Sequence, residues 1–251
     1  EVDEELGLLD ASFTGAQIEA QRRVPSFARH CETTDQTPAY AYLRRLLQLT
    51  SWFSGRDPAK PFVLKMPQHM QDLPALMRVF PDARLIFIHR DPAAVVGSGA
   101  SMVWNQMVVQ SDDVDPHWIG AEWWHKTRHR AAVTDAARAQ ISAAQQFDVR
   151  FADMNSDWAG VMQRIYGFLG LEIEPPAHAA MTGYLARAAR DHRHGEHRYT
   201  LGDFGLDART INAGFAAYRA RFDIPVEAAA AKRGAATPAV PGYGISEGVA
   251  A

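Results

Sequence analysis

The chain has 251 residues, 47% of them apolar, and a formal net charge of -3. That length suits one α/β domain with a single sizeable core, and the charge supplies no basic field for nucleic acid. The single cysteine, Cys31, excludes an internal disulfide and fits a reducing cytoplasm. No apolar run of membrane-spanning length and no signal-peptide pattern occurs in these residues, so no stable membrane insertion and a cytoplasmic location are expected.

Residues 1–37 carry little strand signal, and their aromatics, Phe13 and Phe27, read as core contacts. Thr37-Pro38 opens a helix with Tyr40, Leu43, Leu46 or Leu47 and Leu49 at helical spacing. Gly55 to Lys60 is a turn, with Arg44 and Arg45 behind it as a solvated edge.

The stretch from Phe62 to Ser101 packs two strand signals and two helix starts into one β-α-β-α unit. Phe62-Val63-Leu64 reads as a short strand, Lys65 to His69 as a loop, and Asp72 to Phe80 as a helix. Arg84 to His89 (RLIFIH) has the pattern of a strand covered on both faces. It stops at Arg90. Asp91 suits an N-cap and Pro92 the first helical position of a helix over Ala93 to Met107.

Ligands of open α/β sheets bind beyond the carboxyl ends of the strands, where a helix N-terminus offers N–H groups to an anion. Arg90 sits at that junction, and Ser98 lies roughly two turns along the helix from Asp91, on about the same face. An Arg and a Ser hydroxyl beside a helix start suit a phosphate; an Arg capping strand-end carbonyls and a Ser bonded to its own turn fit the same residues. Gly97 and Gly99 each cost about 1 kcal/mol against Ala in a helix interior, which points to close approach of something to the backbone. Lys65 and His69 would emerge at the same sheet edge, a cation for a transferring anionic group and an imidazole for an acceptor's proton. A lone His is more often a structural residue.

Downstream, a helix runs from Pro116 to about Ala144. Trp118, Trp123 and Trp124 are better explained by helix packing than as a stacking platform. His125 to Arg130 reads as a solvated basic face. Asp148 to Phe151 is a third strand, Asp157 caps a helix over Trp158 to Leu169 that ends at Gly170, and Glu174-Pro175-Pro176 opens another. His192, His194 and His197 do not match a closed zinc spacing, so no metal is expected. Asp207 to Phe222 reads as one amphipathic helix. The chain divides into a domain over 1–225 and a loosely ordered Ala/Gly/Pro-rich tail over 226–251.

The order LKMPQH, a short helix, VFPDARLIFIHRDP and a Ser eight residues beyond the Arg resembles the bacterial-type sulfotransferases that use 3′-phosphoadenosine 5′-phosphosulfate (PAPS). LLDASF, VPSFARH, TPAYAYLRRLLQL, VRFADM, IYGFLGLE and HRYTLGDFGLD extend the resemblance to about Pro225. It implies a P-loop-NTPase-like three-layer α/β fold, with a central parallel sheet and many helices. It also implies sulfuryl transfer from PAPS to a hydroxyl or amine of a small-molecule or glycan acceptor, with adenosine 3′,5′-bisphosphate leaving and no metal required. On this resemblance Arg90 and Ser98 hold the 3′-phosphate and Arg198 in HRY contacts the cofactor's phosphate or base; on the physical template of phosphoryl transfer, Lys65 would stabilise the bridging or sulfuryl oxygens and His69 would be the general base. Family members begin with a strand and a Gly-rich loop of the type PRSGTT, which has no counterpart before Phe62, so the N-terminal strand is expected to be missing. Two alternatives stay open: a non-catalytic nucleotide-binding or interaction remnant of the fold, and a P-loop-class kinase. The acceptor and the oligomeric state are not legible in the residues.

Overall fold

Five helices precede the loop at Lys65 or follow it directly: α1 (Leu6–Asp10), α2 (Gln17–Gln21), α3 (Pro25–Thr33), α4 (Thr37–Ser54) and α5 (Gln68–Gln71). They lead through α6 (Leu73–Val79) into β1 (Leu85–His89), then α7 (Pro92–Met107), α8 (Pro116–Arg138) and β2 (Gln146–Arg150). The chain continues as α9 (Phe151–Ser156), α10 (Trp158–Leu169), α11 (Pro175–Ala188), α12 (Ala208–Gly214) and α13 (Ala216–Phe222). This computed structural model describes residues 5–57, 60–188, 190 and 199–227. The mixed α/β architecture expected from the sequence is present, mostly helical and with a parallel sheet.

Among the described residues the sheet has two strands. β1 pairs in parallel with β2, Leu85 opposite Gln146 through to His89 opposite Arg150. A parallel neighbour requires a long crossover, which α7 and α8 provide. The expected strand at Phe62–Leu64 is absent: the segment is irregular and Val63 is 89% exposed. A strand exists only as half of a hydrogen-bonded pair, and no described strand lies alongside this one. Nor is β1 covered on both faces, since Ile88 remains 63% exposed. A groove of about 720 Å³ runs along β1, walled by α8 and α13 and lined by Ile86, Ile88, His129, Phe215 and Arg221.

Three apolar clusters hold the helices. Leu9, Tyr40, Leu43, Leu47 and Leu76 join α1, α4 and α6, each buried aliphatic contributing roughly 1.5–3 kcal/mol of transfer free energy. Ala100, Val103, Met107, Ile119 and Trp123 join α7 to α8, and Val96 meets Ile211 and Phe215. Trp123 and Trp124 are packing residues, Trp124 lying edge-on to Phe215.

Four expectations are corrected. Helix α8 stops at Arg138, well before Ala144, because the Gln146 side chain donates to the carbonyls of Arg138 and Ile141 and closes the helix end. The single helix expected over Asp207 to Phe222 is two, α12 and α13. They break at Phe215, whose buried ring sits between Trp124 and Tyr218. Phe13 is a surface residue, its left-handed backbone (φ 60°) turning the ring outward. The basic run after Trp124 is not solvated throughout, as described below. His192, His194, His197 and Arg198, and all of the tail beyond Glu227, lie outside the described residues.

Candidate functional site

Arg90 leaves the carboxyl end of β1, and Asp91 turns the chain into α7. Asp91 is 2% exposed and its carboxylate accepts three donors: the Ala93 N–H at 3.1 Å, the Arg219 guanidinium at 2.9 Å and the Glu227 N–H at 2.7 Å. The start of α7 is therefore filled by the chain's own carboxylate, and the anion-binding capacity of this corner falls to Arg90. Its guanidinium stacks 4.4 Å from the centroid of Phe151 and grips both oxygens of Glu227 at 2.9 Å. That fork geometry is the one guanidinium offers to carboxylate or phosphate.

Ser98 faces the same corner. Its hydroxyl is hydrogen-bonded to Tyr199, whose phenol also feels the Arg90 charge and lies 3.3 Å from the Ala94 carbonyl. Burial raises the Tyr199 pKa against the lowering pull of Ser98 and Arg90; the hydroxyl is thus a neutral donor at neutral pH. Arg90 and Ser98 are brought together through Tyr199, a residue the sequence reading did not single out. Gly97 carries its signature. A Cβ on Gly97 would lie 2.7 Å from the Tyr199 ring, and one on Gly99 would lie 2.7 Å from Trp123. What approaches the backbone at these positions is protein.

Lys65 and His69 form a second corner, tied by Glu5. The His69 Nε2 lies 2.5 Å from Glu5 Oε1, its Nδ1 lies 2.8 Å from the Tyr40 hydroxyl, and Glu5 Oε2 accepts the Lys65 N–H at 3.0 Å. Burial would raise the Glu5 pKa, yet the bonds from His69 and from backbone N–H groups bring it below the usual value. With Glu5 ionised, the network assigns the His69 proton to Nε2, and Nδ1 accepts from Tyr40. Both ring nitrogens are occupied. The Lys65 side chain is exposed. Neither residue lines the groove beside β1.

Between the corners lies an ionic cluster that replaces the expected solvated face. Lys126 is 1% exposed and reaches Glu19 at 2.7 Å and Glu122 at 3.4 Å, while Arg130 reaches Glu19 at 3.3 Å. The cations are buried because α2 and α3 lay acidic side chains across α8. Cys31 is close by, and burial with the Glu19 and Asp72 charges pushes its thiol up to about 11, so it is not a nucleophile. Burial also lifts Asp72 to about 6. No group of metal-ligating side chains occurs among the described residues, and no described helix is long and apolar enough to cross a membrane.

At the carboxyl end of β1, beside the start of α7, this α/β protein thus carries a guanidinium fork that grips a carboxylate of its own chain. Residues 1–175 match the model of the Sulfotransferase family, and the chain belongs to that family. It is similar to the crystal structure of sulfotransferase STF1 from Mycobacterium tuberculosis H37Rv, with 31% identity over 86% of this chain and 55% of that one and a TM-score of 0.73. It is likewise similar to sulfotransferase STF9 from Mycobacterium avium, with 27% identity over 90% of this chain and 57% of that one and a TM-score of 0.76. The chain thus spans little more than half the length of either structure. No curated protein matches it.

Proposed function

We propose that the protein is a PAPS-dependent sulfotransferase acting on a hydroxyl or amine of a small-molecule or glycan acceptor. The observation that carries this reading is the Arg90 fork with Ser98 and Tyr199 beside it, a seat whose fit to a planar anion is seen in its grip on the Glu227 carboxylate. Arg90 would hold the 3′-phosphate by two charged bonds, and the Ser98 and Tyr199 hydroxyls would supply further donors. PAPS, when bound, supplies an activated sulfuryl group. Lys65 would place positive charge near its oxygens, following the logic of phosphoryl transfer, in which the protein mainly positions groups and offsets charge.

His69 is the residue proposed to take the acceptor's proton. Glu5 orients the ring and stabilises the imidazolium, as a carboxylate does for a catalytic imidazole. The proton goes to Nδ1, which requires the acceptor to displace the Tyr40 hydroxyl. That requirement favours a second reading, nucleotide binding without turnover. Titration of adenosine 3′,5′-bisphosphate followed by sulfate transfer from PAPS to a panel of phenols, sugars and amines separates the two. Binding with no transfer to any acceptor selects the second reading, and failure to bind removes both.

A further inference from the structure

The last described residues form a strap. Helix α13 ends in a left-handed turn at Asp223 (φ 51°), and Arg150 Nη1 holds the Asp223 carboxylate at 2.6 Å. Ile224 is buried, and its N–H donates to the Arg219 carbonyl at 3.0 Å. From that anchor Pro225 and Val226 cross an exposed stretch to Glu227, whose N–H is fixed on Asp91 and whose carboxylate fills the Arg90 fork. The strap encloses a cavity of about 150 Å³ at the carboxyl ends of both strands, lined by Arg90, Arg150, Phe151, Asn155 and Ile224.

Glu227 presents to Arg90 the group that a phosphate would present: two anionic oxygens in one plane, at charged hydrogen-bond distance. We propose that Glu227 is a built-in competitor for the anion seat, so that the cofactor's 3′-phosphate binds by displacing its carboxylate and the tip of the strap controls entry. This rests on Arg90 being the anion ligand of the proposed function. The exchange is chemically balanced, because Arg90 trades one bidentate anion for another while Glu227 returns to water. A monoanion would gain little from such a trade. A phosphate dianion gains the larger charge interaction and the Ser98 and Tyr199 donors, so the competitor also raises discrimination in favour of a doubly charged ligand.

The strap is built to yield at its tip. Arg90 and Glu227 are each about one-third exposed, in the range where an ion pair is worth little against solvent, whereas Ile224 and the Asp223 turn are held by separate contacts. The bond from Arg90 also holds the Glu227 carboxyl below its ordinary range, so the contact persists at neutral pH and opening falls to a competing anion.

Calorimetric titration of adenosine 3′,5′-bisphosphate into the full chain and its Glu227→Gln, Glu227→Ala and Arg90→Ala variants tests the proposal. The Gln variant keeps the Asp91 backbone bond and the shape of the strap while removing the charge. Expected are a roughly three- to tenfold tighter complex with both Glu227 variants and a roughly thirtyfold weaker one with Arg90→Ala. Unchanged or weaker binding by Glu227→Gln, with Arg90→Ala still impaired, overturns the competitor and leaves the proposed function standing. If no chain binds the nucleotide, the proposed function fails and takes the competitor with it.

Discussion

Phe62–Leu64 and Leu85–His89 carry the same kind of apolar run, each followed by a cation and by an Asp and Pro at a helix start, yet only the second becomes a strand. Both helices form where local signals place them, because proline at the first positions, the Asp91 cap of α7 and hydrogen bonds between near neighbours are properties of one segment. A strand is a property of two segments. Leu85–His89 finds Gln146–Arg150, and Phe62–Leu64 finds no described partner, the chain being tied just after it, where the Lys65 N–H donates to Glu5 of the Glu5–His69–Tyr40 network. The first crossing is thus a polar lock and the second a backbone ladder.

Four changes test that contrast. His69→Ala should open the lock and strand two buried partners, at a cost of about 3 kcal/mol, seen as a lowered midpoint in urea; an unchanged midpoint would mean that the first crossing is held by something else. Arg90→Ala should leave the ladder intact and the urea midpoint nearly unmoved, while nucleotide binding weakens by about 2 kcal/mol, roughly thirtyfold by titration. Gly97→Ala places a Cβ against the rings and methyls of Tyr199 and Leu201 and should cost about 1–2 kcal/mol, with weaker nucleotide binding as Tyr199 shifts. Asp72→Asn should change a slope. The folded Asp72 keeps its proton up to about pH 6, above its ordinary 3.8, so the wild type loses stability as pH rises through that window. Above it the cost is constant. The variant should flatten the dependence of unfolding free energy on pH by up to about one bound proton between pH 4 and 6; parallel profiles would place the slope elsewhere.

The sequence made the second crossing legible because local and tertiary signals coincide there: the cap, the proline and the partner strand all agree. The same was true of α10, closed by Asp157 and Gly170. What stayed hidden depends on distant segments. Lys126 reads as a surface charge until Glu19, 107 residues away, covers it. The helix break at Phe215 follows from its seat against Trp124, and a partner 29 positions back gives His69 its occupied Nδ1. Arg90 and Ser98 were readable as a pair, but Tyr199, which joins them, was marked only indirectly by Gly97 in the helix. Glu227 gave no local signal at all, being one acid at the edge of an Ala-rich stretch.

The three donors on Asp91 set an order of events during folding. Two of them come from 128 and 136 residues downstream, closing loops whose entropy must be lost before either bond forms. Until Arg219 arrives, a carboxylate destined for the interior has only its own helix to satisfy it, so the start of α7 is a late-maturing part of the molecule. During synthesis at the ribosome, Arg90 emerges well before the residues that cover it. The nascent chain therefore passes through a period in which the corner is open, and it closes only when the segment around Glu227 has left the exit tunnel.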